Sequence, residues 1–186
     1  MSDIKTLQHV HSGIKSKFRG KKIVFGFGSV DAKIVFVSEM IGPDEEKEGK
    51  PIAGAAAKLL NGLLKTAGID KRKVYITTVI KYHPGLAHPT PKEIKSHANF
   101  LRDEIKTVGP QVVVTLGNLA LNGVGLRQPV ENVHGRAFHL GDHELFPTFH
   151  PSHALKDKSV KALLEADFIK LKQILELRKQ EPIPSN

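Results

Sequence analysis

33-KIVFVSE-39 is an almost unbroken apolar stretch that ends in a serine and a carboxylate. Short apolar runs rich in β-branched residues are typical of strands that are buried on both faces of a sheet. The stretches 73-KVYITTVI-80 and 111-QVVVTLG-117 have the same character, and 22-KIVFGFG-28 predicts another strand, which ends in glycines. We expect these strands to form the centre of the fold.

Helical patterns separate the strands. A leucine-lined helix is predicted over residues 55–68, and a second over 90–109, where Thr90, Pro91 and Glu93 form a helix start with a capping box. A short helix over 118–123 and a long amphipathic helix over 159–180 follow. Residues 136–140 and 144–149 predict a closing hairpin or two edge strands. Strands that alternate with helices indicate an α/β sandwich around a mostly parallel sheet.

Two segments do not show a long regular pattern. Residues 1–22 form a polar, basic lead-in with at most a short helix, and residues 38–54 contain too much glycine, proline and acid for a regular element. A chain of 186 residues is within the size range of one domain. We therefore predict a single domain over residues 1–186.

The composition limits the classes of function. The net charge of +9 attracts polyanions, of which nucleic acid is the commonest, although a basic surface also occurs without such a partner. The chain contains no cysteine, which excludes disulfides, thiolate nucleophiles and Cys-ligated zinc or iron–sulfur centres. No apolar run is long enough to span a membrane, and the first residues do not form a signal-peptide pattern. We expect a cytoplasmic protein that does not bind membranes.

Ligands of parallel α/β sheets bind beyond the carboxyl ends of the strands, so the loops that leave those ends are the place to look for a site. These loops are 38–54, 81–89, the turn after Gly117, and 149–155. They bring carboxylates, hydroxyls and the imidazole of His150 to one end of the sheet. The residues alone leave two readings open, because Glu39 is either a cap or a functional acid, and His150 is either a structural loop histidine or a ligand-facing one.

Several kinds of site are excluded by their missing motifs. The sequence contains no phosphate-binding P-loop and no Gly-x-Ser-x-Gly elbow, and its Gly-x-Gly leads into a strand, unlike a dinucleotide-binding loop. The ten histidines lack a zinc spacing. We therefore predict that the protein holds no metal.

The ordered set of motifs resembles the uracil-DNA glycosylase superfamily, in particular its family 4. The motifs are 38-SEMIGPDEEKEGKPIAG-54, 74-VYITTVIKYHP-84, 90-TPKEI-94, 112-VVVTLG-117 and 148-TFHPSHAL-155. Each is weak by itself, but together they are specific. The resemblance implies a three-layer α/β/α sandwich with a central four-stranded, mostly parallel sheet. It also implies hydrolysis of the N-glycosidic bond of a damaged base in DNA.

The resemblance also assigns roles to residues. It places the catalytic groups at Glu39, Asp44, Glu45 and His150, with the imidazole facing the flipped base. It places the base-binding groups at Met40, Ile41, Gly42, Ile52 and Thr78. It places the DNA-binding groups at Lys81, His83, Gly117, Asn118, Arg136, Ser152 and His153. A carboxylate would stabilise the sugar cation or orient water, and a donor at the base would stabilise the leaving anion.

The sequence departs from the family at two places. His11, Ile14, Tyr82 and His97 stand where the family has the four cysteines of an iron–sulfur cluster, so we predict no cofactor, apolar filling at this place and a contact between His11 and His97. Ile52 and Thr78 stand where the family has a phenylalanine that stacks on uracil and an asparagine that reads its edge. An isoleucine loses the aromatic stack, and a threonine offers one hydroxyl where an asparagine offers a donor and an acceptor.

Three functional hypotheses follow. The first is a monomeric, monofunctional DNA glycosylase of base-excision repair, with uracil as the default base and hypoxanthine, xanthine or a modified pyrimidine as alternatives. The second is a DNA-binding relative with little catalysis, which the changes at Ile52 and Thr78 favour. The third is an enzyme of this fold that acts on free nucleosides or nucleotides. In the first two hypotheses the partner is DNA.

Overall fold

The sheet runs through the middle of the molecule. In the computed structural model, which describes residues 6–86 and 88–180, the strands are β1 (Phe27–Gly28), β2 (Ile34–Ser38), β3 (Val74–Thr78), β4 (Val112–Leu116), β5 (Phe138–Leu140) and β6 (His143–Thr148). Their order across the sheet is β1-β3-β2-β4-β6-β5. The four inner strands are mutually parallel, and both outer strands are antiparallel to their neighbours.

The inner strands confirm the class predicted from the sequence, an α/β fold around a mostly parallel sheet. All residues of β2 and β4 are buried, as their unbroken apolar runs predict. The sheet has six strands in the described residues, against the four that the resemblance implies, because β1 and β5 extend it at its edges. The predicted strand over 22–28 is shorter than expected, and only Phe27–Gly28 pairs with β3.

Eight α-helices connect and cover the strands within the described part of the chain. They are α1 (Leu7–Lys17), α2 (Pro43–Glu48), α3 (Gly54–Thr66), α4 (Pro91–Val108), α5 (Asn118–Gly123), α6 (Val130–Val133), α7 (Pro151–Ala154) and α8 (Lys158–Gln180). The helix start predicted at Thr90 is confirmed, since Glu93 N–H donates to the Thr90 hydroxyl at 3.2 Å and the Glu93 carboxylate accepts from Thr90 N–H.

The prediction that residues 38–54 contain no regular element was wrong, because α2 lies inside this loop. Gly42 caps the helix, Pro43 occupies its first position, and three acids fill its first turn, where they interact favourably with the helix dipole. The proline and acids that argued against a helix are the residues that start one. The basic lead-in also contains a helix, α1, whose Val10 and Ile14 are buried.

The helices lie on both faces of the sheet. Tyr75 and Thr77 of β3 donate hydrogen bonds to Glu104 of α4, whereas Phe36 of β2 stacks on Phe168 of α8 with ring centroids 6.2 Å apart. Phe36 pairs with Ile76 in the sheet and therefore points to the face opposite Tyr75. Helices α4 and α8 thus cover opposite faces, which confirms the three-layer sandwich.

Two other predictions concern the chain as a whole. None of the helices in the described residues has both the length and the apolar character that a membrane crossing needs. The single-domain assignment to residues 1–186 stays a prediction, and its first five and last six residues lie outside the described part.

Candidate functional site

Three chain segments meet at the carboxyl end of the sheet. Glu39 follows β2, Gly117 follows β4 and His150 follows β6. A Cβ atom at Gly117 would lie 2.3 Å from Glu39 Oε1 and 3.2 Å from the His150 Cβ, so both side chains pack against this glycine. Gly117 also has φ +93°, which other residues rarely adopt. The sheet therefore brings an acid and an imidazole together over a residue that must be glycine.

Two serines hold the imidazole of His150. Ser152 N–H donates to His150 Nδ1 at 3.1 Å, and the Ser152 hydroxyl lies 2.6 Å from the same nitrogen. Nδ1 is thus an acceptor, and the ring proton is on Nε2, which lies 2.9 Å from Ser38 Oγ and donates to it. This arrangement explains the proline after the histidine, because His150 caps α7 and Pro151 takes its first position.

The environment keeps His150 neutral. Burial, reinforced by the nearby His153, lowers the pKa of His150 from 6.5 to about 4. A neutral imidazole that carries its proton on Nε2 is a hydrogen-bond donor without a full charge. Such a group can stabilise a negative charge that develops on a leaving group.

Glu39 is anchored at the start of α5. Its Oε1 accepts from Leu119 N–H at 3.0 Å. Burial raises the pKa of Glu39 above its ordinary value of 4.5, against the opposing influence of that hydrogen bond and of His153 and His88. Among the hydrogen bonds of the described residues, Oε2 accepts none, so this oxygen is available to a water or a substrate.

The other two predicted acids contact the loop that carries them. Glu45 accepts from Gly42 N–H at 3.1 Å and from Ala53 N–H at 2.9 Å, so both of its oxygens close the loop between these two residues. Asp44 is exposed, and its Oδ2 lies 2.6 Å from the position of a Cβ at Gly54. The structure therefore joins Glu39 to His150 and uses Glu45 as a clamp.

The predicted base-binding residues are mostly buried. Ile41 and Thr78 are fully buried, Ile52 is 6% exposed, and Met40 and Gly42 are half-buried. The Thr78 hydroxyl donates to the carbonyl of Ile80 at 2.9 Å. Its proton is therefore already used within the protein, although Thr78 pairs in the sheet with Ser38, the residue that bonds to His150.

The predicted DNA-binding residues differ in their exposure to solvent. Ser152 and His153 are exposed beside His150, Asn118 is exposed at the start of α5, and Arg136 is exposed in the loop before β5. His83 is half-buried, and its Nδ1 accepts from Gly85 N–H. Lys81, by contrast, is fully buried and bonded to Thr77 and Glu104, a position from which it cannot contact DNA.

The residues at the cysteine positions of the family do not fit an iron–sulfur cluster. Ile14 is fully buried and cannot ligate a metal, and the ring of Tyr82 packs against Phe18 with centroids 5.6 Å apart. His97 stacks on Phe18 at 4.0 Å, and His11 stacks on Phe25 at 4.3 Å. The predicted apolar filling is present. Within the described residues no ring contact joins His11 to His97, and no group of metal-ligating side chains is arranged to hold an ion.

Two residues that the geometry places in the site have no role assigned from the sequence, although Ser38 is among the hydroxyls expected at this end of the sheet. Ser38 is the last residue of β2 and bonds to His150, and Leu119 provides the backbone donor to Glu39. The position of Ser38 at a buried strand end was a usable signal for the first. No side-chain pattern could indicate the second, because its contribution is a backbone N–H.

The fold and this pair define a class of protein, the α/β enzymes with a site at the carboxyl edge of a parallel sheet. The family model of the Uracil DNA glycosylase superfamily matches residues 25–174. A type-4 uracil-DNA glycosylase of Thermotoga maritima is 39% identical over 141 residues, which cover 74% of this chain and 73% of that protein. A type-4 uracil-DNA glycosylase of Saccharolobus solfataricus is 32% identical over 176 residues, which cover 86% and 78%. The chain belongs to the uracil-DNA glycosylase superfamily.

Proposed function

We propose that this protein is a DNA glycosylase that hydrolyses the N-glycosidic bond of uracil or another deaminated base. The observation that supports this most is the meeting of Glu39 and His150 over Gly117 in a chain of this superfamily. A base inside a duplex cannot be reached by these groups, so the target nucleotide must be turned out of the stack or be unpaired.

The two side chains have different parts in the reaction. As the bond between C1′ and the base nitrogen breaks, its electron pair leaves with the base, and the sugar becomes cationic. The Nε2–H of His150 exchanges its bond to Ser38 for one to the base and stabilises the developing anion, for which one well-placed donor contributes about 3–4 kcal/mol. The Glu39 carboxylate stabilises the cation and accepts a proton from the water that adds to C1′.

The exposed residues next to His150 complete the proposed interface. Ser152 and His153 on α7, together with Asn118 and Arg136, offer hydroxyl, imidazole, amide and guanidinium groups to the phosphates that flank the target. Lys81 does not belong to this interface, because its side chain is buried in the core. We propose that the protein acts as a monomer with DNA as its partner.

An excision assay tests the proposal. Labelled oligonucleotides that contain uracil, hypoxanthine, xanthine or a mismatched thymine are incubated with the protein, and abasic sites are cleaved with alkali. We expect release of at least one base, and a loss of about 100- to 1,000-fold in His150→Ala. His9→Ala, a change at an exposed histidine of α1, is the control. Full activity in His150→Ala would exclude the leaving-group role.

One observation favours the second candidate, a DNA-binding relative with little catalysis. The Thr78 hydroxyl donates its proton to Ile80, so this side chain offers a base edge an acceptor oxygen but no donor. Salt-dependent binding of DNA without release of any base in the same assay would establish that alternative.

A further inference from the structure

A groove of about 940 Å³ runs along the edge of the sheet at β1. β1 has only two residues, and its Phe27 is 60% exposed. Val30, just after this strand, is 65% exposed and also lines the groove. We call this feature the edge groove. Two large apolar side chains that are open to solvent and line one cavity form an apolar patch, and such patches mark binding surfaces.

The edge groove carries positive charge. Lys50, Lys58, Lys71 and Arg72 line it, whereas Glu48 is the one acid among its described lining residues. The Arg72 guanidinium is held by Asp70 at 2.9 Å, so the lysines supply most of the free charge. Lys50 Nζ lies 5.7 Å from the centre of the Phe27 ring. Ammonium groups beside an exposed aromatic face are the arrangement that binds single-stranded nucleic acid, through phosphates and stacked bases.

One wall of the edge groove is formed by the loop that carries Ile52, the residue predicted to face the target base. Pro51, Ile52 and Gly54 line this wall, and they belong to the loop that starts just after Glu39. The Glu45 carboxylate accepts two backbone hydrogen bonds that hold this loop closed. Since Ile52 and Phe27 line the same groove, a strand whose target base lies against Ile52 can continue toward Phe27.

We infer that the edge groove binds the unpaired strand that continues from the target nucleotide, with a base stacked on Phe27 and phosphates at Lys50 and Lys71; this inference rests on the proposed function. Charge decides for nucleic acid over an apolar peptide, because a peptide would leave the lysines unpaired. The protein should then favour targets in single-stranded DNA that extends beyond the excised base.

Binding and excision measured separately test the inference. Fluorescence anisotropy gives Kd for a labelled single-stranded 12-mer of thymine and for a 4-mer, and the excision assay gives KM for uracil in strands of both lengths. We expect Phe27→Ala to weaken 12-mer binding about five- to a hundredfold and to raise the KM of the long substrate, since one stacked base is lost. Phe27→Tyr should restore both. Lys50→Ala with Lys71→Ala should reduce the magnitude of the salt slope by about 1.4.

Two variants on the surface of α8 serve as controls. Leu177→Ala and Lys172→Ala alter exposed residues of α8 and should leave Kd for the 12-mer unchanged. The edge-groove inference would be wrong if Phe27→Ala and the double lysine variant both bind the 12-mer with the Kd of the wild type and keep full excision activity. That result would not affect the proposed function. The inference would also be wrong if the wild type self-associates with increasing concentration and Phe27→Ala abolishes this association without changing DNA binding. The groove would then bind a second copy of the chain. If the wild type releases no base but its binding of the 12-mer still depends on Phe27, the proposed function would be wrong and the groove would still bind single-stranded DNA.

Discussion

The state of a single proton on His150 determines what this residue can do. Ser152 N–H donates to Nδ1, which leaves Nε2 as the protonated nitrogen, and burial lowers the pKa to about 4. We predict that nitrogen NMR of labelled histidine shows the neutral Nε2–H form of His150 from pH 8 down to about 5, with the signal assigned by its loss in His150→Ala. A titration of His150 above pH 6, or a proton on Nδ1, would contradict this assignment.

The pH dependence of excision should report Glu39. Burial raises the pKa of Glu39 above 4.5, whereas the pKa of His150 falls to about 4, so the carboxylate is protonated first as the pH decreases. The mechanism needs the carboxylate, and kcat/KM of the wild type should therefore fall as the pH drops through the raised pKa of Glu39. We predict that the slower Glu39→Gln variant lacks this acid limb. If kcat/KM of Glu39→Gln falls at low pH in the same way as that of the wild type, the titrating group is not Glu39.

At the scale of an element, the loop 42–53 depends on one carboxylate. Glu45 holds the backbone at Gly42 and Ala53, which fixes α2 and the start of α3. We predict that Glu45→Ala lowers excision by misplacing the loop, whereas Glu45→Gln, which keeps one of the two acceptor oxygens, retains activity within about tenfold of wild type. A loss in Glu45→Gln as large as that in Glu39→Gln would show that Glu45 acts in the chemistry.

A buried ion pair joins β3 and its following loop to α4. The Lys81 ammonium lies 2.5 Å from Glu104 Oε2, and Tyr75 donates to Glu104 Oε1 at 2.7 Å. Burial raises the pKa of Glu104, but Lys81 and the hydrogen bonds outweigh it and lower the pKa from 4.5 to about 2. Since the folded-state pKa is depressed, this stabilisation is complete above pH 4.5 and decreases as the pH falls toward 2.

We predict that Glu104→Gln destabilises the protein by about 3–5 kcal/mol at neutral pH, because it leaves the Lys81 charge buried without a carboxylate. Urea denaturation measures the change, and Glu176→Gln on the surface of α8 is the control. The difference between wild type and Glu104→Gln should shrink between pH 4.5 and pH 2. A constant difference over that range would show that the charge of Glu104 does not contribute.

The elements also show what the sequence could and could not predict. Continuous apolar runs identified β2 and β4, and capping chemistry identified the start of α4, since both signals are local. The length of β1 depends on pairing with β3, a nonlocal contact that its own residues do not encode. The site is divided in the same way. The convergence of Glu39 and His150 follows from their places at strand ends, whereas the clamp role of Glu45 and the bond from Thr78 to Ile80 depend on backbone atoms elsewhere.

At the scale of the whole molecule, side-chain packing stands where the family has a metal cluster. Ile14 of α1 is fully buried, and the rings of Phe18, Tyr82 and His97 lie against one another. A structural cluster ties chain segments together through strong bonds, and without ligands the same segments must be held by apolar burial. Helix α1, which packs on α4, therefore depends on this packing for its place in the fold.

We predict that Ile14→Ala lowers the free energy of unfolding by about 2–5 kcal/mol, because it opens a cavity in a fully buried position. Leu177→Ala, at a residue that is 64% exposed, should change it by no more than about 0.5 kcal/mol. Wild-type protein purified without added iron should show no visible absorption of an iron–sulfur cluster and should keep its melting temperature in the presence of an iron chelator. A melting temperature that falls with the chelator would show that a metal holds this region. A decrease of less than about 1 kcal/mol in the free energy of unfolding of Ile14→Ala would show that the packing of α1 contributes little to the fold.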